Sequence, residues 1–375
     1  MLNWRFKPSP NKPPREALGL MTGTSLDSID IAWVRETHAG GPVEVLAAIH
    51  TPLSDSVIAR CQTVIEGRPF TAAEFSQLEA DYTTDLLDGL HQFQETCPDM
   101  APAVLGCHGQ TLFHHPTAQT SWQLVNPHPL AQSLRCPVAF DFRRNDLAAG
   151  GQGAPLAPLF HCVHFARESE SVAVLNLGGI ANVTLLDTPG AVRGFDTGPA
   201  NTLLDQWMQT QLGARYDHNG HHAAQGMVIQ TLLDAWLDDP YFARQPPKST
   251  GREYFNLHWL ETRSPTPTSN YAPQDVLRTL VELTTVSAAS ALPADLDILL
   301  VAGGGALNPV IMASLDQQTA ALVSTTDIAG IPPQDVESTC FAWLGLACLD
   351  QRRLATPSVT GSARSVILGV IAPGY

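Results

Sequence analysis

Three glycine-rich turns, each directly after a short apolar segment, are the features that most constrain how this chain folds. They read MTGTSLDSID at 21–30, NLGGIAN at 176–182 and AGGGALN at 302–308. Glycine lets a backbone turn tightly and bring its N–H groups against phosphate oxygens without interference from a Cβ atom. One such turn is more often an ordinary hairpin or the start of a helix, but three in one chain favour a nucleotide-binding fold.

The spacing of these glycines excludes two common nucleotide-binding motifs. The sequence has no G-x-x-x-x-G-K-[ST], and no G-x-G-x-x-G opens a helix. What remains is a pair of β-hairpin phosphate clamps, at 21–30 and 176–182, and a strand–GGG–helix element for the nucleoside at 302–308.

Composition limits the class of ligand and the compartment. The 375 residues are 44% hydrophobic and 15% charged, which is ample for a large core in two lobes. A net charge of −15 argues against general binding to nucleic acid or to an anionic membrane surface. The seven cysteines form no C-x-x-C pair, and we find neither a signal peptide nor a long apolar run. These features predict a cytoplasmic protein without a disulfide framework.

The strand pattern predicts an α/β fold in two lobes, each a mixed sheet with flanking helices. A β-meander of three strands spans 17–49, and a second one with the same layout begins at Ser171. The pattern alone leaves open whether the two lobes are related. We expect a flexible proline-rich arm at 1–15, a first lobe at 16–140 plus about 355–375, and a second lobe at 141–354.

Several helices can also be predicted. Thr71 and Glu74 form a capping-box pattern, and an apolar stripe of helical spacing follows to Phe93. Longer helices are expected near 274–290 and 333–350. The closing segment SVILGVIA is expected to be a strand that returns to the first lobe.

Eight sequence blocks, from about Gly19 to Pro373, closely resemble the anhydro-N-acetylmuramic acid kinases of the hexokinase-like and actin-like ATPase superfamily. The blocks are GLMTGTSLDSIDIAWV, LGCHGQTLFHHP, DFRRNDLAAGGQGAPLAPLFH, NLGGIANVT, GFDTGPANTLLD, PPKSTGREYFN, AGGGALNP and PPQDVES…FAWLG. The resemblance implies a homodimer that uses ATP and Mg²⁺. It implies an enzyme of peptidoglycan recycling that opens the 1,6-anhydro ring of 1,6-anhydro-N-acetylmuramic acid hydrolytically and phosphorylates O6. The products would be N-acetylmuramic acid 6-phosphate and ADP.

The sequence departs from the family pattern at two turns. Ser28 and Ala200 stand where the family usually has glycine, and we expect altered turn stability rather than lost chemistry. If the family's glycine has a positive φ at either position, replacing it with serine or alanine costs about 1 kcal/mol of stability. The first turn also lacks the aspartate that is common at its start in the superfamily. The carboxylate that would bind Mg²⁺ can therefore be either Asp27 or Asp30.

The glycine turns supply the candidate nucleotide-binding residues. They are Gly23, Thr24, Ser25, Leu26, Asp27, Ser28, Ile29, Asp30, Asn176, Gly178, Gly179, Gly303, Gly304, Gly305 and Asn308.

Asp196, in the block GFDTGP, is the leading catalytic candidate. We expect it where a strand ends and a helix begins, with the helix dipole keeping its carboxylate ionised as a general base. The alternative is that Asp196 caps that helix. Glu337 is the second catalytic candidate, because the resemblance implies an acidic residue near the sugar at this position, although a surface glutamate in a first helical turn is an equal interpretation.

Two further segments are candidates for contact with the sugar. His108, Gln110 and Thr111 form a loop after a predicted strand, although His108 is alternatively a loop histidine with internal partners. Either Arg143 or Arg144 can clamp the lactyl carboxylate bidentately, and the other can pair with a nearby aspartate. Lys248 and Arg252 lie in PPKSTGR, where loop folding and ligand contact are equal alternatives.

Two other classes of function compete with the kinase. A glycoside hydrolase would use Asp196 and Glu337 as its carboxylate pair, but it would leave three phosphate-type turns unexplained. A non-enzymatic, nucleotide-switched binding protein would leave the Asp196 block and the His108 loop without a role. ATP consumption that depends on an anhydro sugar separates all three.

Overall fold

The computed structural model describes residues 14–23, 26, 28–187 and 191–374. Unit 1 contains the described residues of Met1–His164 and Asp335–Tyr375, and unit 2 is Phe165–Gln334. Segments 141–164 and 335–354, which we expected in the second lobe, therefore belong to unit 1. Most of the predicted N-terminal arm lies outside the described residues, and Arg15 already belongs to the first strand.

The helices and strands follow one another in chain order. Unit 1 starts with β1 (Arg15–Thr22), β2 (Ile29–Glu36), β3 (Val43–Thr51), α1 (Asp55–Ile65), α2 (Ala72–Thr96), β4 (Leu105–Cys107), β5 (Gln110–His115), β6 (Thr120–Leu124), α3 (Pro127–Leu134), β7 (Val138–Phe140), α4 (Arg144–Ala148) and α5 (Ala157–His164). Unit 2 has β8 (Val172–Leu177), β9 (Ile180–Asp187), β10 (Ala191–Pro199), α6 (Asn201–Trp207), α7 (Gln230–Leu237), α8 (Leu257–Arg263), α9 (Pro273–Ala289), β11 (Ile298–Ala302), α10 (Pro309–Gln318) and β12 (Leu322–Thr325). The chain then returns to unit 1 with α11 (Val336–Leu349) and β13 (Val370–Ala372).

The main sheets of the two units have the same strand order over five strands. In unit 1 the order is β13–β7–β4–β1–β2–β3, and in unit 2 it is β10–β9–β8–β11–β12. Each begins with an antiparallel meander whose first strand also pairs in parallel with the next strand of its sheet. Both units therefore repeat the same arrangement over five strands, and unit 1 adds β13 at its edge. The closing strand does return to unit 1, where β13 pairs antiparallel with β7.

Helix α2 forms as its sequence predicts. Thr71 is the N-cap, and both bonds of the capping box are present, with the Thr71 N–H donating to Glu74 Oε2 at 2.7 Å. Leu78, Tyr82 and Leu86 follow on the buried face of the helix. Local sequence is sufficient here because each of these signals acts within a few residues along the chain.

Helix α11 is apolar around almost its whole circumference and packs directly on the sheet of unit 1. Gly19 on β1 and Gly106 on β4 are register partners beneath it. A Cβ atom on Gly19 would overlap the carbonyl oxygen of Ser338, and one on Gly106 would overlap that of Phe341. Two glycines side by side therefore let the helix backbone approach the sheet closely, which is why 336–349 belongs to unit 1.

Two further observations concern membrane-spanning helices and cysteines. Within the described ranges, no helix is both long and apolar enough to cross a membrane. The seven cysteines are free thiols, and five of them are buried.

Candidate active site

Asp196 lies within β10 rather than after it, because the strand continues to Pro199. The pairing of β10 with β9 shifts between Asp196 and Gly198, so a β-bulge follows the carboxylate. Ala200 occupies the N-cap position of α6, and no side chain caps that helix. The interpretation of Asp196 as a helix cap is therefore wrong.

Segment 241–250 forms hydrogen bonds with both backbone groups of Asp196 and with its carboxylate. The N–H of Asp196 donates to the carbonyl oxygen of Lys248 at 3.1 Å, and the Tyr241 hydroxyl donates to the carbonyl oxygen of Asp196 at 2.8 Å. The backbone N–H of Thr250 donates to the carboxylate oxygen Oδ2 at 3.0 Å. These contacts fix the orientation of the carboxylate, and the sequence analysis missed them although it singled out the block that contains Lys248.

Burial raises the pKa of Asp196 to about 6 from the ordinary value of 3.8. The Thr250 N–H lowers the pKa and so offsets part of this shift, while the nearby Glu253 charge adds to it. The expected effect of a helix dipole keeping the group ionised is thus replaced by desolvation, which acts in the opposite direction. A carboxylate that titrates near pH 6 is well matched to accept a proton at neutral pH.

A row of three polar side chains crosses the sheet of unit 2. Asn176 on β8 pairs with Asn182 on β9, and Asn182 pairs with Asp196 on β10. Directly opposite residues of antiparallel strands share one face, so the three side chains lie on the same side of the sheet. The face opposite them carries core residues such as Leu175 and Phe195. The row therefore presents two amides and the carboxylate together.

The second glycine turn is tied to the start of α6. The carbonyl oxygen of Gly178 accepts from Asn201 N at 3.0 Å, and that of Gly179 accepts from Ala200 N at 3.1 Å and Thr202 N at 3.0 Å. Ala200 has a φ of −127°, so the strain considered for a non-glycine residue at this position does not arise. The turn is consequently held rigidly by backbone bonds.

Arg252 lies against this same turn. A Cβ atom on Gly179 would be 3.2 Å from Arg252 Nη2 and 2.7 Å from Thr202 Oγ1. The sequence left Arg252 open between loop folding and ligand contact. The structure places its guanidinium group at the predicted phosphate clamp, where a positive charge is most useful.

The third glycine turn packs beside the second. Gly303 has a φ of +80°, and a Cβ atom on it would be 2.6 Å from Asn176 Oδ1. Gly305 packs in the same way on the side chain of Leu177. A Cβ atom on Gly304 would have free space to 3.8 Å. Asn308 caps α10 through Oδ1, which accepts from Val310 N at 3.0 Å. Asn176 and the 303–305 turn are thus brought together, whereas the side-chain oxygen of Asn308 is already used by the helix.

The first glycine turn is described only in part, since Thr24, Ser25 and Asp27 lie outside the described residues. Leu26 N donates to the carbonyl oxygen of Gly23 at 3.2 Å. The Ser28 hydroxyl, at a position where the family usually has glycine, donates to Asp30 Oδ1 at 2.7 Å. The side chain of Ser28 therefore adds a bond within the turn. Ile29 is buried as the first residue of β2.

Asp30 is engaged by a protonated histidine. His50 Nδ1 lies 2.8 Å from Asp30 Oδ1, and His50 Nε2 lies 3.1 Å from Asp335 Oδ1. Hydrogen bonds to these two carboxylates raise the pKa of His50 to about 10. The imidazolium ring competes with any metal ion for the Asp30 carboxylate, and the sequence analysis did not anticipate this partner.

His108, Arg143 and Glu337 form a polar cluster in unit 1. Arg143 Nη2 donates to His108 Nε2 at 2.8 Å, and Arg143 Nη1 donates to the carbonyl oxygen of Gly153 at 2.8 Å. Burial and the Arg143 charge hold the pKa of His108 well below its usual range, so the ring is neutral. The Glu337 charge favours the charged form of Arg143 and so raises its pKa, against a larger lowering by burial. His108 thus has the internal partner that the alternative interpretation required.

The remaining candidates for contact with the sugar differ in how far they are buried. Arg144 is exposed, and its Nη1 pairs with Asp141 Oδ2 at 3.4 Å, so Arg144 is the arginine that pairs with an aspartate. Gln110 is fully buried, and its Oε1 has no hydrogen-bond partner among the described atoms. Thr111 Oγ1 accepts from Gln123 Nε2 at 3.2 Å. Gln110 is therefore the better placed of the two β5 residues to receive a donor from a ligand.

Asp146 is a buried residue of unit 1 that the sequence analysis overlooked. Its Oδ2 accepts from Gly153 N at 2.7 Å, and its Oδ1 accepts from the Thr360 hydroxyl at 2.7 Å. Since Gly153 in turn accepts from Arg143, Asp146 positions the arginine through the glycine loop. The available signal was an acidic residue four positions before the glycines of DLAAGGQG.

Two units whose sheets have the same strand order, with glycine turns at the strand ends of unit 2, are typical of the α/β fold of the actin-like and hexokinase-like ATPase superfamily. A family model described as anhydro-N-acetylmuramic acid kinase matches residues 15–374. The chain is 42% identical to an anhydro-N-acetylmuramic acid kinase of Paraburkholderia xenovorans, covering 95% of this chain and 97% of the relative. It is 43% identical to the corresponding protein of Bordetella pertussis, covering 98% of each. The chain belongs to the anhydro-N-acetylmuramic acid kinase family.

The chain also has distant similarity to solved structures. One is the activator of 2-hydroxyisocaproyl-CoA dehydratase from Clostridium difficile with bound ADPNP, at 10% identity and a TM-score of 0.42. That similarity covers 88% of this chain and 94% of the other.

Proposed function

We propose that this protein is an ATP-dependent kinase that opens the 1,6-anhydro ring of 1,6-anhydro-N-acetylmuramic acid and phosphorylates O6. The products are N-acetylmuramic acid 6-phosphate and ADP, in peptidoglycan recycling. The observation that carries the proposal is the buried carboxylate of Asp196, whose pKa is about 6, in a row of polar side chains beside two glycine turns. Membership of the family supports the choice of sugar. A cytoplasmic homodimer is part of the same proposal.

Asp196 acts as the general base. Its carboxylate takes a proton from water as the water oxygen bonds to C1, and the C1–O6 bond breaks. The released O6 attacks the γ-phosphorus of ATP, a new O6–P bond forms and ADP leaves. One base can serve both events, because activation of the water generates the oxygen nucleophile for phosphoryl transfer.

The glycine turns of unit 2 hold the nucleotide in this proposal. Gly178 and Gly179 approach the phosphates with Arg252 beside them, while Asn176 and the 303–305 turn face the nucleoside. Positive charge and backbone N–H groups stabilise the charge that develops on the transferring phosphoryl group. This assignment gives Arg252 a role that its position supports.

A Mg²⁺ ion is compatible with this site, because it needs few ligands from the protein. The described residues contain no group of three or more His, Cys, Asp or Glu side chains that could hold a metal ion. Mg²⁺ characteristically keeps several waters and uses one or two carboxylates together with substrate phosphates. We propose Asp27 rather than Asp30 as the carboxylate, because Asp30 is paired with the protonated His50. The ion, when bound, neutralises charge on the phosphate oxygens.

The polar cluster of unit 1 recognises the sugar. Arg143 is the candidate partner of the lactyl carboxylate, and Glu337, on the first turn of α11, accepts from a sugar hydroxyl. His108, being neutral, keeps the Arg143 guanidinium oriented. The unpartnered Oε1 of buried Gln110 accepts from the amide or a hydroxyl of the ligand.

Reaction in ¹⁸O-labelled water tests the function. Mass spectrometry is expected to find the label in the C1 hydroxyl of the phosphorylated product and none in its phosphate. Unphosphorylated sugar as the main product would support the glycoside hydrolase instead. ATP binding without sugar-dependent turnover would support the nucleotide-switched binding protein.

We expect kinase turnover to rise with pH through a midpoint near pH 6. The base must be ionised to act, and burial raises the pKa of Asp196 to about 6. The measurement is kcat and kcat/KM between about pH 5 and pH 8, with melting temperatures over the same range to exclude acid unfolding. A midpoint below about pH 5 would contradict the assignment of Asp196, because it would report an ordinary carboxylate.

Gly179→Ala is expected to raise the KM for ATP by about 5-fold to 150-fold, because accommodating the new methyl group costs about 1–3 kcal/mol. That methyl group would lie 2.7 Å from Thr202 Oγ1 and 3.2 Å from Arg252 Nη2, so it displaces the guanidinium group from the turn. Gly178→Ala is the matched comparison, because it adds a methyl group to the same turn without meeting Arg252 and so measures crowding of the phosphates alone. Equal effects of the two substitutions would argue against a role for Arg252 at the phosphates.

A further inference from the structure

A cleft of about 710 Å³ opens in unit 2 along the strand that carries Asp196. Its walls are β10, the C-terminal end of α9 and the loop at 242–248. Of the ligand-contact candidates named above, Lys248 lines it, and the residues assigned to the nucleotide and to the sugar under the proposed function do not. We call it the β10–α9 cleft.

Three positive side chains line the β10–α9 cleft, namely Arg193, Arg244 and Lys248. Among the described residues that line it, none is acidic. This is notable in a chain with 36 acidic and 21 basic residues. The C-terminal dipole of α9, equivalent to about half a negative charge, offsets only part of the two positive charges of Arg244 and Lys248.

Two of these cations are brought together on one aromatic ring. Lys248 Nζ lies 4.9 Å from the centre of the Tyr241 ring, and Arg244 Cζ lies 5.7 Å from it. Burial, and then the Arg244 charge, lower the pKa of Lys248. Lys248 and Arg244 repel each other, and no described lining residue supplies a carboxylate, so an anion is favoured beside them.

The rest of the cleft wall is mostly apolar, and its polar members are Gln245, Ser287 and Ser290. Phe195, Phe242 and Leu292 contribute side chains to it. An anion with an organic body would contact these side chains while its charge meets the arginines and the lysine. A phosphate monoester matches this set better than a monocarboxylate does, since it carries up to two negative charges and several acceptor oxygens.

We propose that the β10–α9 cleft is a second ligand site that binds a small organic phosphate. The site contacts the segment that holds Asp196, because Lys248 O accepts from Asp196 N and the Tyr241 hydroxyl donates to Asp196 O. A ligand on Lys248 therefore acts on the backbone that orients this carboxylate. Only this link to Asp196 rests on the proposed function.

Calorimetric titration with phenyl phosphate tests the site. The protein is first saturated with a non-hydrolysable ATP analogue and Mg²⁺, so that the glycine turns are occupied. We expect one phenyl phosphate per chain, and we expect inorganic phosphate, which lacks the apolar body, to bind more weakly. The double variant Arg193→Gln with Arg244→Gln should bind phenyl phosphate at least about tenfold more weakly, through loss of hydrogen bonds to charged groups. Absence of binding to the parent protein, or equal affinity in the double variant, would overturn the proposal.

Matched controls separate this site from the nucleotide site. Arg215→Gln makes the same charge change at an exposed residue outside the cleft and should bind phenyl phosphate like the parent. Affinity for the ATP analogue should be unchanged in the double variant, and its loss would assign the arginines to the nucleotide instead. These binding results hold even if the protein does not turn over anhydro sugar, so failure of the proposed function is recognised separately. An unchanged pH–rate midpoint with saturating phenyl phosphate would overturn the link to Asp196.

Discussion

Asp196→Asn is expected to reduce kinase turnover by about 10²–10⁴-fold, the usual contribution of a general base. Asparagine matches aspartate in size but cannot accept the proton from water. Because ring opening supplies the oxygen that attacks ATP, sugar hydrolysis and phosphoryl transfer should fall together. The measurement is sugar-dependent ADP formation and product analysis for the same variant.

The same substitution should leave the fold intact. Asparagine Oδ1 can still accept from Thr250 N, and Ala200 rather than Asp196 occupies the N-cap position of α6. Folding raises the pKa of Asp196 from 3.8 to about 6, so the ionised carboxylate is unfavourable in the folded state above pH 6. The melting temperature at neutral pH should therefore be equal to or above that of the parent.

Glu253→Gln is the control for charge near Asp196, because Glu253 raises the pKa of Asp196 without contacting its carboxylate by a hydrogen bond. It should keep most of the turnover and move the pH midpoint slightly downwards. Turnover of Asp196→Asn within about tenfold of the parent would rule out the general-base role. A collapsed melting temperature would instead assign Asp196 a structural role.

Gly106→Ala is expected to destabilise unit 1 by at least about 3 kcal/mol, beyond the usual cost of adding a methyl group to a core. Its Cβ atom would overlap the carbonyl oxygen of Phe341 on α11 and lie 2.8 Å from Phe341 C. The obstacle is backbone, so no side-chain rotation relieves it. Gly19→Ala should behave alike, since its Cβ atom would overlap Ser338 O and lie 2.6 Å from Ala342 N.

Melting temperature measures this effect, and a loss of this size should lower it by at least about 6 °C. Gly178→Ala is again the control, because a methyl group there has free space to 3.8 Å. A melting temperature of Gly106→Ala within about 2 °C of the parent would show that α11 does not pack as closely on β4 as described.

The features that the sequence predicted correctly are governed by local contacts. Thr71 and Glu74 complete the capping box within one turn of α2, and the meander at Val172–Pro199 follows from apolar strands separated by short turns. Family membership follows from blocks of residues along the chain and needed no coordinates. Each of these signals is contained in a few consecutive residues, so neighbouring sequence is enough to specify it.

The assignments that the sequence left open or missed depend on residues far apart in the chain. Which arginine pairs with an aspartate was decided by the fold, which brings Arg143 against His108 and leaves Arg144 beside Asp141. The pKa of Asp196 depends on burial by segments such as 241–250, a desolvation effect that a motif cannot express.

By itself, the sequence of this protein determined the strands of the two meanders, the capped helix and the family, but it predicted a loop at Gln110 and Thr111, which lie on β5. Tertiary structure alone decided that 336–349 packs on β1 and β4 in unit 1, and that Lys248, Tyr241 and Thr250 hold Asp196. The physical reason is the distance along the chain over which each interaction acts. Strand, turn and cap signals are short-range backbone preferences, whereas packing, desolvation and charge neutralisation depend on groups that only the folded chain brings together.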